Sequence, residues 1–165
     1  KSFYTWVNDP DVTRYLSLNF PMSMVDEESW FNAMTQRSQG EKTLAIEVRD
    51  GNGWKMIGNC GVFDIDVVSR LGEIGIMLGE KDEWDKGYGT EAMSLLVRHC
   101  FETLNFNRVY LRVYAENLRA KRAYEKAGFV EEGRLREAVY KNGKYDDVII
   151  MSVLRAEWIA QMKEK

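Results

Sequence analysis

The chain has 165 residues, of which 45% are hydrophobic and 30% charged, a composition typical of one globular domain. Its formal net charge of −3 argues against general nucleic-acid binding, which requires a basic surface, and slightly favours a cationic or neutral partner. Cys60 and Cys100 lack metal-type spacing, and no apolar run has membrane-spanning length, so we expect a cytoplasmic protein without a disulfide framework or metal site.

The first forty residues favour helices. Apolar residues within 3–18 have helical spacing that Asn8-Asp9-Pro10 interrupts, which predicts a helix, a break and another short helix. Ser23 and Asp26 have the spacing of a capping box in front of an apolar stripe. A further helix is therefore expected over residues 24–37.

The apolar pattern then changes to a period of two, which is typical of strands. Residues 43–49, 54–68 and 71–78 alternate in this way and are separated by turn residues. They predict an antiparallel meander, with bulges near Gly58 and Gly61.

The second half predicts two strand and helix pairs and a hairpin. A helix over 89–104 leads to a strand over 108–114, which should run parallel to 71–78 because a helix crosses between them. Asn117 begins another helix that ends at Gly128. The final hairpin comprises 129–140 and 145–154, and its Asn-Gly dipeptide favours a type I′ turn. We expect a single α+β domain over residues 1–165.

A glycine-rich loop joins the third strand to its helix. Gly87 and Gly89 allow a sharp turn and close approach of a ligand, while the free N–H groups of the first helical turn attract anions such as phosphate. A P-loop is excluded because Lys86 precedes the glycines and the required spacing is absent. The loop does fit the dinucleotide pattern G-x-G-x-x-G/A, but that fold requires repeated parallel units instead of a meander and a hairpin.

The order of these elements resembles the GNAT superfamily of acetyl-CoA-dependent N-acetyltransferases over nearly the whole chain. The resemblance rests on the loop Trp84-Asp85-Lys86-Gly87-Tyr88-Gly89 with Thr90-Glu91-Ala92, on Asn117-Leu118-Arg119-Ala120, and on Tyr124-Glu125-Lys126-Ala127-Gly128-Phe129. The sequence is most similar to the branch of ribosomal-protein N-terminal (RimJ/RimL-like) and spermidine acetyltransferases, which share the Asn-Gly-x-Tyr hairpin of residues 142–145.

Two features depart from the family pattern. The first strand of the fold does not precede the early helices, so we expect that a piece is missing before Lys1. Trp84 stands where the superfamily usually has Gln or Arg at the head of the loop. This exchange should leave the main-chain cradle intact.

The resemblance implies a GNAT fold with a mixed central sheet flanked by helices, and acetyl-CoA as co-substrate without a metal. It implies that main-chain N–H groups of residues 86–90 hold the pyrophosphate, and that main-chain groups around Met77 and Leu78 pair with the pantetheine arm. Asn117 would hydrogen-bond the same arm. The predicted cofactor-binding residues are Met77, Leu78, Trp84, Asp85, Lys86, Gly87, Tyr88, Gly89, Thr90, Asn117, Ala120 and Tyr124.

Tyr124 matches the family's proposed general acid, either as a proton donor to the departing thiolate or chiefly as a hydrogen-bond donor. Its alternative role is to cover a seam between helix and sheet.

Glu73 could accept the amine's proton directly or through water, or could be a strand carboxylate hydrogen-bonded within the sheet. Some relatives place the base at the position of Arg112, but arginine cannot serve as a base. An acceptor that enters neutral needs no base.

The sequence therefore predicts an N-acetyltransferase whose acceptor is a protein N-terminus or a polyamine-like amine. The alternatives are an acyl-CoA-binding regulatory module without turnover and a dinucleotide-binding oxidoreductase. Acceptor selectivity is expected from residues 3–37 and from the hairpin around 139–145. Members of this branch often pair, so a homodimer or larger homo-oligomer is expected, without nucleic-acid or membrane partners.

Overall fold

The computed structural model describes residues 2–163. In chain order its helices and strands are α1 Ser2–Val7, α2 Pro10–Thr13, α3 Met24–Thr35, β1 Leu44–Asp50, β2 Gly53–Asp66, β3 Leu71–Leu78, α4 Tyr88–Glu102, β4 Arg108–Tyr114, α5 Leu118–Lys126, β5 Val130–Lys141, β6 Lys144–Leu154 and α6 Arg155–Lys163. Short 3-10 turns lie at Gln39–Glu41 and Lys81–Glu83.

The strands form a mixed sheet in the order β1-β2-β3-β4-β6-β5. The first three strands pair antiparallel, β3 and β4 pair parallel across the α4 crossover, and β6 pairs antiparallel with both β4 and β5. This arrangement confirms the predicted meander, parallel pair and C-terminal hairpin of an α+β fold.

Local signals in the sequence explain where several elements begin and turn. The Ser23 side chain accepts a hydrogen bond from the Asp26 N–H at 3.2 Å, and Asp26 accepts one from the Ser23 N–H at 2.9 Å, which confirms the capping box. Asn142 and Gly143 have φ angles of 52° and 82°, as the predicted type I′ turn requires.

The sheet register confirms one expected bulge and corrects the other. The pairing of β1 with β2 shifts between Ile46 and Glu47, which leaves Ile57 as an extra residue beside Gly58. Gly61 instead pairs in regular register with Gly75, and the other irregularity of β2 lies between Phe63 and Asp66.

The main core lies between one face of the sheet and α4. The buried stripe of α4 packs on apolar side chains that point to this face from the central strands, and these are Val62, Ile74, Val109, Leu111, Ile149 and Met151. The core also contains Cys60 and Cys100, whose burial raises the pKa values of their thiols to about 11 and about 12. Within residues 2–163, no three His, Cys, Asp or Glu side chains group as metal ligands would.

Helix α6 was not predicted, because its apolar residues show little helical periodicity. Its Trp158 contacts Phe101 of the core with ring centroids 5.4 Å apart.

A smaller cluster, made by Trp6, Val7, Val12 and Met77, attaches α1 and α2 to the opposite face of the sheet. None of the helices described is both long and apolar enough to cross a membrane.

Strands β3 and β4 part from each other, and this separation positions the site. They pair only where Leu71–Glu73 meets Arg108–Tyr110, whereas β4 continues beside β6 as far as Tyr114. A gap therefore opens between residues 74–78 of β3 and 111–114 of β4. Main-chain groups along this gap lack a neighbouring strand and can bind an extended ligand.

Candidate active site

The β3 side of the gap presents alternate main-chain groups. The Gly79 N–H donates to the Ile57 carbonyl at 2.9 Å, which fixes the alternation of bonded pairs between β2 and β3. The main-chain N–H and C=O groups of Met77 consequently face β2, while those of Ile76 and Leu78 face the gap. The main-chain groups open to a ligand thus belong to Ile76 and Leu78, within the stretch around Met77 and Leu78 that the sequence indicated.

Trp84 connects the glycine loop to this strand. Its indole N–H donates to the Leu78 carbonyl at 2.9 Å. The Leu78 carbonyl is therefore occupied, and its N–H remains for a ligand. The Arg119 guanidinium lies 4.0 Å from the centroid of the indole ring, close enough for a cation–π contact.

The glycine loop ends in an uncapped helix N-terminus. Asp85 and Gly87 have φ angles of 61° and 90°, and Gly87 is the N-cap of α4 without a side chain to cap it. The first helical hydrogen bond is donated by the Glu91 N–H to the Gly87 carbonyl at 3.1 Å. The preceding N–H groups of residues 88–90 lack intrahelical partners, and a helix N-terminus of this kind attracts anions.

A groove of about 480 Å³ runs from this loop along the gap to α5, and we call it the cofactor groove. Most predicted cofactor residues line it, namely Met77, Leu78, Trp84, Asp85, Gly87, Gly89, Thr90, Asn117, Ala120 and Tyr124. The side chains of Lys86 and Tyr88 do not. The Lys86 ammonium pairs with Glu83 at 2.9 Å, and Tyr88 packs against the main core.

Helix α5 supplies the far wall of the cofactor groove. Asn117 is its N-cap, and the Asn117 side-chain oxygen accepts a hydrogen bond from the Ala120 N–H at 3.2 Å. This bond fixes the orientation of the amide and leaves its NH₂ group available as a donor.

Three basic side chains of α5 also line the groove and were missed by the sequence interpretation, namely Arg119, Arg122 and Lys126. Their spacing of three and four residues places them on one flank of the helix. That spacing is visible in the sequence and could have identified them. Their charges make this end of the groove favourable for phosphate groups.

Tyr124 lies where the cofactor groove meets a second cavity of about 600 Å³, which we call the acceptor cavity. The Tyr124 side chain is only 9% exposed, and its burial raises the pKa of the phenol to about 12. The residues shared by both cavities are Tyr15, Leu16, Ile76, Met77, Asn117 and Tyr124.

Glu73 and Arg112 form an ion pair in the acceptor cavity. The Arg112 Nε and Nη2 atoms donate to the two Glu73 carboxylate oxygens at 2.9 and 2.7 Å. This bidentate contact raises the pKa of Arg112. The sequence suggested Glu73 as a base and excluded Arg112 from that role, but it did not predict that the two side chains meet. Each Glu73 oxygen retains a further lone pair that can accept a hydrogen bond.

The mouth of the acceptor cavity is held by the hairpin of β5 and β6. The Lys141 ammonium donates to the carbonyl oxygens of Leu16 and Leu18, the first at 3.0 Å, across 125 and 123 positions of sequence. Its partial burial lowers the pKa of this ammonium group. Lys141 thereby fixes the segment after α2 that borders both cavities.

Comparison with known proteins decides the family, since residues 1–130 match the acetyltransferase (GNAT) domain. The chain belongs to the GNAT family. It is 30% identical over 155 residues to the uncharacterized N-acetyltransferase p20 of Bacillus licheniformis, covering 92% of this chain and 84% of p20. It is 33% identical over 119 residues to the spermidine N(1)-acetyltransferase of Vibrio cholerae, covering 72% of this chain and 66% of that enzyme.

A solved structure supports the same assignment. The crystal structure of spermidine N-acetyltransferase from Vibrio cholerae in complex with CoA and spermine matches with a TM-score of 0.83 and 27% identity. The match covers 95% of this chain and 90% of that chain. This GNAT protein is thus an acetyl-CoA-dependent N-acetyltransferase that acts on an amine, as the sequence predicted.

Proposed function

We propose that this GNAT enzyme binds acetyl-CoA in the cofactor groove and the amine in the acceptor cavity, and that direct transfer occurs beside Tyr124. The single observation that carries this proposal is that Tyr124 borders both cavities. A junction of this kind allows a donor and an acceptor to be bound together, which converts a bimolecular step into an effectively unimolecular one.

Acetyl-CoA supplies the acetyl group as a reactive thioester, and main-chain groups would do most of its binding. The N–H groups of residues 88–90 would hold the pyrophosphate, assisted by the positive end of the α4 dipole and by the basic flank of α5. The free main-chain groups of Ile76 and Leu78, together with the Asn117 amide, would bind the pantetheine arm. An N–H group of this strand would also polarise the carbonyl.

Tyr124 would act as a hydrogen-bond donor to the departing sulfur. Its pKa of about 12 exceeds that of a thiol, about 8.5, by more than three units, so complete proton transfer would be uphill by about 5 kcal/mol. A hydrogen bond from a protonated phenol avoids that cost and still stabilises developing negative charge. Its high pKa keeps Tyr124 protonated across the neutral pH range.

The first experiment replaces the hydroxyl alone. Tyr124→Phe should lower kcat by about 10- to 100-fold while acetyl-CoA affinity changes by less than about twofold, because the ring remains and only the donor is lost. Tyr145→Phe is the matched control, since Tyr145 is exposed and lines neither cavity. Unchanged turnover in Tyr124→Phe would return Tyr124 to a packing role.

Glu73 would accept the amine's proton directly or through water, using a lone pair that Arg112 leaves free. Glu73→Gln should lower kcat/KM at neutral pH. The loss should be smaller at high pH, where more of the amine is already neutral and needs no base. A uniform loss at every pH would indicate that Glu73 has a structural role.

Acetyl-CoA binding without thiol release across a broad amine panel would indicate an acyl-CoA-binding regulatory module instead of an enzyme.

We also propose a cytoplasmic location and self-association as a homodimer or larger homo-oligomer, without nucleic-acid or membrane partners. The acidic net charge of −3 supports the absence of a nucleic-acid partner. Light scattering of the purified chain tests the association.

A further inference from the structure

The charged side chains that line the acceptor cavity are few and mainly cationic. Within residues 2–163, the lining contains the guanidinium groups of Arg37 and Arg112 and the carboxylate of Glu73. Glu73 already binds Arg112 through both oxygens. Arg37 is exposed and forms no ion pair with another described residue. The cavity thus offers the uncompensated positive charge of Arg37, and its one carboxylate is already paired with Arg112.

The remaining lining is largely apolar and aromatic. Phe3 stacks on Trp30 with ring centroids 4.5 Å apart, and both line the cavity. Further apolar lining residues are Val7, Leu16, Leu18, Phe63, Leu135, Val139 and Val148. These walls favour an acceptor with an apolar body.

A polyamine fits this lining poorly. Its several ammonium groups would face two guanidinium groups and the single, already paired carboxylate. An amine with a pKa near 10.4 is also neutral in only about one molecule in 2,500 at pH 7, whereas about one peptide α-amino group in ten is neutral. A cavity whose carboxylate is occupied is better suited to the second kind of amine.

We propose that the acceptor of this enzyme is an α-amino compound that carries a carboxylate, as amino acids and short peptides do. Arg37 and the free guanidinium nitrogen of Arg112 bind the carboxylate, and the apolar walls hold the side chain. This inference rests on the proposed function, because it requires that the amine enters through the acceptor cavity. It separates the substrate of this chain from that of the spermidine acetyltransferase that it resembles in fold.

Matched acceptors test the proposal directly. The dipeptide leucylglycine is compared with its C-terminal amide, leucine is compared with 3-methylbutylamine, and spermidine is the polyamine. The carboxylate-bearing member of each pair should have a kcat/KM, expressed per neutral amine, that is at least about tenfold higher, the effect of one charge-assisted hydrogen bond. Leucine and leucylglycine distinguish a free amino acid from a peptide as the source of the carboxylate.

The failures of the two proposals are distinguishable in this panel. Equal rates for acid and amide, or a preference for spermidine, would overturn the carboxylate proposal while thiol release still confirms an acetyltransferase. Acetyl-CoA binding without thiol release for any acceptor would overturn the proposed function, and the carboxylate proposal with it.

Variants of Arg37 test whether this side chain causes the preference for acceptors that carry a carboxylate. Arg37→Gln should reduce kcat/KM for leucylglycine by about tenfold but leave the amide within twofold, and Arg37→Glu should reverse the preference in favour of spermidine. Arg98→Gln is the control, because Arg98 pairs with Glu102 on α4 and lines neither cavity. An equal loss for acid and amide would assign Arg37 to structure and contradict the proposal.

Discussion

The cofactor groove and the acceptor cavity differ in the groups that they present to a ligand, which are main-chain groups in the groove and side chains in the cavity. The groove presents main-chain groups to a ligand, namely the free N–H groups at the start of α4 and those of β3 where β4 has diverged. The acceptor cavity is formed by side chains from α1, α3, α5 and the five strands β2 to β6, which are far apart in sequence. The groove therefore depends on backbone geometry, whereas the cavity can change its ligand by substitution without a change of fold.

This difference also separates what sequence could predict from what it could not. Backbone geometry leaves local signatures, such as the glycines before α4 and Asn117 at the start of α5. Side-chain cavities leave none, because their composition depends on register and packing. The following predictions test the contrast, beginning with the largest expected effect.

Gly58→Ala should damage the backbone wall of the groove most severely. An added Cβ would lie 2.1 Å from the Met77 carbonyl oxygen and 3.0 Å from the Leu78 Cα, and backbone atoms there cannot move independently. We expect a loss of about 3 kcal/mol in the free energy of unfolding. Urea denaturation measures it, with Gly133→Ala as control, because a Cβ on Gly133 meets no atom within 4 Å. Equal stability of both variants would contradict the description of this wall.

Gly87→Ala should weaken acetyl-CoA binding by about tenfold, or about 1.4 kcal/mol, since a φ of 90° is strained for alanine and relaxation would tilt the anion-binding N–H groups. Calorimetric titration measures the affinity. Gly143→Ala carries a similar strain at a φ of 82° in the distant hairpin turn, so its acetyl-CoA affinity should match that of wild type. A similar loss in both variants would indicate a global effect.

Lys141→Met should affect the acceptor cavity and spare the cofactor groove. Loss of the hydrogen bonds to Leu16 and Leu18 frees the segment at the cavity mouth, and the acceptor KM should rise about fivefold, or about 1 kcal/mol. Acetyl-CoA affinity should change by less than twofold. The control is Lys144→Met on the same hairpin, where the exposed lysine pairs with Glu116. A larger change in acetyl-CoA affinity than in the acceptor KM would contradict the proposal that Lys141 acts on the acceptor cavity and not on the cofactor groove.

Glu132→Gln should change stability without affecting either ligand. Arg108 lowers the Glu132 pKa to about 2, so the pair stabilises the fold above the ordinary glutamate pKa and loses this contribution as pH falls from about 4.5 to about 2. Because the Glu132 side chain is 38% exposed, solvent screening limits the effect to about 1 kcal/mol at pH 7. Denaturation at pH 7 and pH 3 should show the difference shrink with acidity. A constant difference would contradict the ionic origin.

Periodicity and turn chemistry predicted the meander, the crossover helix, the parallel strand and the type I′ turn, because each depends on residues close in sequence. Helix α6 escaped prediction because its contacts with Phe101 are tertiary and its apolar residues show little periodicity. The Glu73 and Arg112 ion pair also required the strand register. Glu73 pairs with Tyr110, which places Arg112 one step further along the same face.

The Lys141 contact has a consequence for synthesis of the chain. Its partner Leu16 leaves the ribosome 125 residues before Lys141 itself, so the mouth of the acceptor cavity cannot be fixed until the last hairpin has emerged. The glycine loop, β3 and α5 lie within a much shorter stretch of the chain and can assemble earlier. A nascent enzyme should acquire its site for acetyl-CoA before it can recognise the amine that it modifies.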